Sequence, residues 1–137
     1  MTAMPTKIFV NLPVEDLERS KRFFSELGYS FNAQFTNENA ASMVVSDDIY
    51  VMLLTREFFR RFTKKELVDA KSSTEAIVAL SAGSRGEVDA MVAKAVAAGG
   101  SVYREPEDHG WMYGHSFQDL DGHQWEFVWM DEAGIRT

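Results

Sequence analysis

Two stretches of the chain run through the same order of elements, and this repetition limits the fold more than any other feature of the sequence. In the first, about 7–55, the β-branched and aromatic run KIFVNLPV precedes EDLERSKRFFSELG, where Leu17, Phe24 and Leu27 recur at helical spacing. Asp16 is placed to cap that helix and Gly28 to end it. YSFNAQF, ASMVVS and IYVMLLT then read as strands, with Ser46-Asp47-Asp48 turning the chain between the last two. In the second stretch, about 74–131, TEAIVALSA reads as a strand, and Ser84 to Glu87 has capping-box spacing ahead of the helix EVDAMVAKAVAA. Gly99-Gly100 closes the helix. SVYRE, HSFQD and QWEFVWM follow as strands, the last two joined by the turn Leu120-Asp121-Gly122-His123. The repeat lies in element order and turn placement rather than in residue identity. It predicts an α+β fold in which two βαβββ modules form one domain, their sheets curled into a half-open barrel with the helices outside.

A chain of 137 residues suits one such domain. Its 45% hydrophobic and 26% charged residues are those of an ordinary globular protein. The net charge of −7 opposes nucleic acid and anionic membranes, whose binding needs clustered cations, and points to small-molecule partners. Without cysteine there are no disulfides, thiolate metal sites or cysteine nucleophiles, which suits the cytoplasm. IYVMLL and AIVAL are far shorter than the roughly 20 residues a membrane helix needs, and the N-terminus has no signal-peptide pattern.

Between the modules, about 56–73, TREFFRRFTKKELVDAKSS carries a second capping-box pattern, Thr63 to Glu66, and is expected to form short helices as a linker. Its Arg56, Arg60 and Lys64 at i, i+4 spacing read as a solvated basic face or an attractor for an anionic partner.

The stretch DLDGHQWEFV places a carboxylate between two aromatics. Alternation along a strand puts Trp125, Phe127 and Trp129 on one side, as core under the helices, and Gln124, Glu126 and Val128 on the other. FVNLPVEDLERSKRFFSELG and DLDGHQWEFV together resemble the opening and closing motifs of the vicinal oxygen chelate superfamily. That superfamily contains glyoxalase I, bleomycin-resistance proteins, extradiol dioxygenases and fosfomycin-resistance transferases. The likeness spans nearly the whole chain and is nearest to a glyoxalase-like bacterial subgroup with an FVNLPV start and a YGxSFxDxDGHxWE finish.

The resemblance implies the half-barrel fold, a homodimer and a site in the hollow. In metal-dependent members the ligands come from one strand position near the start and one near the end of each module. Here those positions fall on Phe9, Leu53, Ile77 and Glu126, and only Glu126 is a donor of the expected kind. About three N or O ligands are needed to hold a transition metal, so no standard metal site and no cofactor is expected.

The predicted ligand cavity is lined by Phe9, Asn11, Leu53, Thr55, Ile77, Ala79, Gln124 and Val128 around Glu126. His115, two residues before Phe117, is a candidate acid/base partner for Glu126 or an atypical metal ligand, set against a role as a surface or hydrogen-bonded histidine. His109 and His123 are placed in solvated loop and turn. Trp111, Met112 and Tyr113 form an aromatic group in a Gly-flanked loop, suited to a lid, a dimer contact or a self-packed loop. Two functions stay open: a metal-free binder of a hydrophobic or aromatic molecule, and a lyase, isomerase or dioxygenase working through Glu126.

Overall fold

In the first unit, β1 (Ile8–Val14) runs parallel to β4 (Ile49–Thr55), and β3 (Ala40–Val44) and the short β2 (Ser30–Phe31) continue the sheet antiparallel in the order β1-β4-β3-β2. The computed structural model describes residues 6–135, and its chain contacts divide between Leu67 and Val68. Helix α1 (Leu17–Glu26) starts where Asp16 accepts a hydrogen bond from the Arg19 N–H at 3.1 Å, and it ends before Gly28, whose φ is +107°. Its buried side chains Leu17, Ser20, Phe23 and Phe24, followed by Leu27, recur every three or four residues on one face. Fully buried Met43, Val51 and Leu53, with Val14, supply the sheet side of this core.

The second unit repeats the topology. β5 (Ile77–Ser81) pairs parallel with β8 (Gln124–Met130), and β7 (Met112–Gln118) and β6 (Glu107–Asp108) follow antiparallel, giving β5-β8-β7-β6. Helix α3 (Arg85–Ala97) is capped by Ser84, which accepts from the Glu87 N–H at 3.1 Å, while the Glu87 carboxylate reaches back to the Gly83 N–H at 2.7 Å. Val88, Val92 and Ala95 form its buried stripe. Trp125 and Phe127 of the aromatic stripe are buried as alternation predicts, and the Phe117 ring stacks near both at 6.4 and 5.9 Å, whereas Trp129 is only half-buried and lies outside the core. The buried Asp119 ties the closing turn to this core, accepting from the Trp125 indole N–H at 2.9 Å and from the backbone N–H groups of Asp121 and His123 at 3.0 Å. Burial pushes its carboxyl pKa up, against the pull of nearby His123 and these N–H donors.

Several local expectations are corrected. Helix α2 (Arg56–Phe59) and a 3-10 turn (Arg60–Phe62) end before the second capping-box pattern, where Thr63 Oγ accepts only from the Lys65 N–H in a local turn. Lys64 therefore does not extend a helical stripe with Arg56 and Arg60. SVYRE is not a strand: Ser101 makes an isolated bridge to Gln118, and pairing resumes only at Glu107. YSFNAQF is a strand only at Ser30–Phe31 before a 3-10 turn over Ala33–Phe35. Met112 and Tyr113 belong to β7 rather than to a loop. A short helix α4 (Glu132–Ile135), not anticipated, follows β8.

Candidate functional site

Strand register decides which candidates share a face. In the second unit Ile77 is in register with Gln124, Ala79 with Glu126 and Ser81 with Val128, so all six side chains project from the sheet face opposite Trp125 and Phe127. β7 adds Ser116, opposite Glu126, and Gly114, opposite Val128. Glu126 thus stands where alternation places it, on the face away from the aromatic core.

His115 does not share that face. It is in register with Phe127, on the side that packs under α3, and its Nδ1 lies 4.0 Å from Asp89 Oδ1 on that helix. Both imidazole nitrogens are buried and lack a hydrogen-bond partner. The expected acid/base pair of His115 with Glu126 is therefore corrected, because adjacent strand positions on β7 and β8 leave the two groups on opposite faces of one sheet. Phe117, two residues on and stacked in the core, was the signal for this in the sequence.

A second correction concerns the first unit. Phe9 is in register with Tyr50 and Asn11 with Met52, whereas Leu53 pairs with Leu12 and Thr55 with Val14. Leu53 is 0% exposed on the α1 side of the sheet, and the Thr55 hydroxyl caps α2 by accepting from the Phe58 N–H at 3.2 Å. Neither shares a face with Phe9 and Asn11. Matching the pairs of the two units, Asn11 with Met52 and Ala79 with Glu126, places Met52 where the other module carries its carboxylate. Phe9 is 54% exposed, stacked on Tyr50 with ring centroids 5.1 Å apart, and the Asn11 side-chain amide donates to the carbonyl two residues back, Phe9 O, at 3.3 Å.

Around Glu126 the second unit forms a recess lined by Arg104, Glu107, Met112, Gly114, Ser116 and Glu126. Arg104 is ion-paired with Glu107, and the Glu126 carboxylate has no hydrogen bond or ion pair among the described residues. Arg104, Glu107 and Ser116 were not singled out in the sequence. Alternation from Phe117 reaches Ser116, but Arg104 and Glu107 come from a largely irregular segment that no periodicity marks.

The DHGWMYG segment is latched to the start of α3. Arg85 donates to both Asp108 oxygens at 2.7 and 2.9 Å and to Gly110 O at 2.8 Å, and its guanidinium lies over the Tyr113 and Trp129 rings. The Arg85 hydrogen bond, reinforced by the Gly110 N–H, holds the Asp108 carboxyl down to about 2. The Tyr113 hydroxyl donates to Asp89 at 2.6 Å, which raises the phenol pKa. His109 and Trp111 stand exposed at the tip of the segment.

No three His, Cys, Asp or Glu side chains among the described residues are grouped so that they could hold a metal ion. At the family positions the Phe9 and Ile77 side chains have no lone pairs, and Met52 or Leu53 adds no oxygen or nitrogen, leaving Glu126 as one donor. These residues do not fit the superfamily's metal.

Two modules of identical strand order, each with one helix on one sheet face, define an α+β protein of the paired βαβββ class. The family model for the Glyoxalase/Bleomycin resistance protein/Dioxygenase superfamily matches residues 8–127, and the chain belongs to that superfamily. Among solved structures, it is similar to the hypothetical protein SA1046 from S. aureus at 30% identity, covering 92% of this chain and 95% of that one with a TM-score of 0.76. A glyoxalase/bleomycin resistance protein/dioxygenase from Nocardioides is 25% identical over 98% and 89% of the two chains, with a TM-score of 0.71. A glyoxalase-related enzyme from Fulvimarina pelagi shares the fold at 20% identity, covering 92% and 88%, with a TM-score of 0.77. A comparison with curated proteins finds no match.

Proposed function

We propose that the protein binds a small hydrophobic or aromatic molecule beside Glu126, without the metal used by the superfamily's metal-dependent enzymes. The observation that carries this reading is the setting of Glu126: a carboxylate without a partner among the described residues, on a sheet face that also presents half-exposed Ile77 and exposed Met130. Apolar surface around a few oriented polar groups is the usual make-up of a small-molecule site. Elemental analysis of the purified protein, before and after metal supplementation, tests the metal-free part. The expected result is no stoichiometric metal, and a stoichiometric transition metal would overturn it.

The same observation favours one second reading, proton transfer by Glu126 acting without His115. A carboxylate held outside any ion pair can take a proton from a bound molecule. Turnover of a bound compound by the wild type and its loss in Glu126→Gln would establish this chemistry, whereas equal turnover by both would remove it. We assign the protein a cytoplasmic setting from its lack of cysteine, and a homodimeric state from the family; light scattering checks the second. Among the described residues no helix is long and apolar enough to cross a membrane.

A further inference from the structure

The recess at Glu126 has a polarity of its own. It contains two carboxylates, Glu107 and Glu126, and one guanidinium, Arg104, which is committed to Glu107. One negative charge is left over, and it belongs to Glu126. Beside it, directly across the strand pair, Ser116 is 2% exposed and lines the recess, and its hydroxyl makes no hydrogen bond among the described residues. A hydroxyl that no protein group engages can accept a hydrogen bond from a molecule in the recess.

Gly114 puts no side chain between its strand and the carboxylate, which leaves a methyl-sized space. A Cβ built there would lie 3.6 Å from Glu126 Oε1, 3.6 Å from Phe127 O and 3.7 Å from Val128 Cγ2, all ordinary contacts. The backbone of Gly114 does not have a positive φ, so its lack of a side chain is not demanded by conformation. What the glycine provides is room beside an acceptor.

We propose that this recess is the subsite for a protonated nitrogen of the bound molecule. Glu126 supplies the charge, the Ser116 hydroxyl a second acceptor, and the missing side chain of Gly114 the room for the ammonium group. An anionic group would meet two carboxylates against the single guanidinium of Arg104, a lining of net negative charge. The ligand class is accordingly a small amine with an apolar or aromatic body. This rests on the small-molecule reading above and narrows it.

The test uses the full chain, labelled with nitrogen-15, and titrates benzylammonium and the neutral benzyl alcohol separately at pH 7 while following backbone amide shifts. Benzylammonium is expected to shift Gly114, Ser116 and Glu126 and to bind at least about tenfold more tightly than the alcohol, the scale of one charge-assisted hydrogen bond. Glu126→Gln should abolish that preference, Ser116→Ala should weaken it, and Gly114→Ala should weaken amine binding by filling the space. The unperturbed amide spectrum elsewhere in each variant shows that it is folded. Equal binding of amine and alcohol at these strands would overturn the amine subsite while leaving the small-molecule reading standing. Absence of shifts at β7 and β8 with both probes would overturn the subsite and remove the support for a site at Glu126.

Discussion

His115 shows how a single residue changes meaning with its strand face. In register with Phe127, it lies on the α3 side of the sheet beside Asp89 and is separated by the sheet from Glu126. Its two ring nitrogens are buried without partners, and such groups carry their full desolvation cost. His115→Leu, close in volume and free of that cost, is predicted to leave stability unchanged or to raise it by about 1 kcal/mol. Chemical denaturation measures this. The same variant should bind the probes at Glu126 like the wild type, and a loss of binding would restore a functional role for the imidazole. The side assignment was legible locally, since His115 and Phe117 alternate together. For Leu53 it was not. Whether Met52 or Leu53 falls beside Asn11 depends on pairing between β1 and β4, some forty residues apart in the chain, and a shift of one residue reverses the face.

Among elements, the β6–β7 hairpin depends on a clamp from outside itself. β6 has two residues, too few to hold a hairpin by ladder bonds, and Arg85 at the first turn of α3 supplies the remainder through Asp108, Gly110 and two aromatic rings. Since Glu107 is one of those two residues, the clamp also positions a wall of the Glu126 recess. Arg85→Ala is predicted to speed amide hydrogen exchange across residues 107–112 while leaving α3 protected beyond its first turn. The folded Asp108 carboxyl titrates at about 2, below the ordinary Asp value near 3.9. With a depressed folded pKa, the contribution of the clamp is present above about pH 4 and is lost as the pH falls toward 2. Hydrogen exchange of this hairpin in the wild type should therefore rise over that window, beyond the intrinsic pH dependence, and should lose this feature in Asp108→Asn. The ends of this hairpin were not readable in advance, because residues 101–111 contain no periodicity and Met112 joins the ladder through pairing with Met130.

The whole molecule repeats one topology with different contents, and its closing turn shows how tightly the second unit is drawn together. Gly122 has a φ of +91°, and a Cβ there would lie 2.8 Å from the Lys71 backbone, so the segment entering the unit crosses directly over the turn. Gly122→Ala combines a disfavoured conformation with a backbone clash, and it is predicted to cost more than about 2 kcal/mol of global stability, read from urea denaturation. Helices α1 and α3, the glycines Gly28 and Gly122, and the strands β1, β3, β4, β5, β7 and β8 were legible from the sequence by itself, because periodicity, caps and turn chemistry act over a few neighbouring residues. The face of Glu126 followed from the same local rule. Only tertiary structure decided that Leu53 is core, that Met52 occupies the position matching Glu126, and that Arg104, Glu107 and Ser116 gather beside the carboxylate. The physical reason is that register and irregular loops are set by contacts between distant segments, whose energies no local pattern encodes.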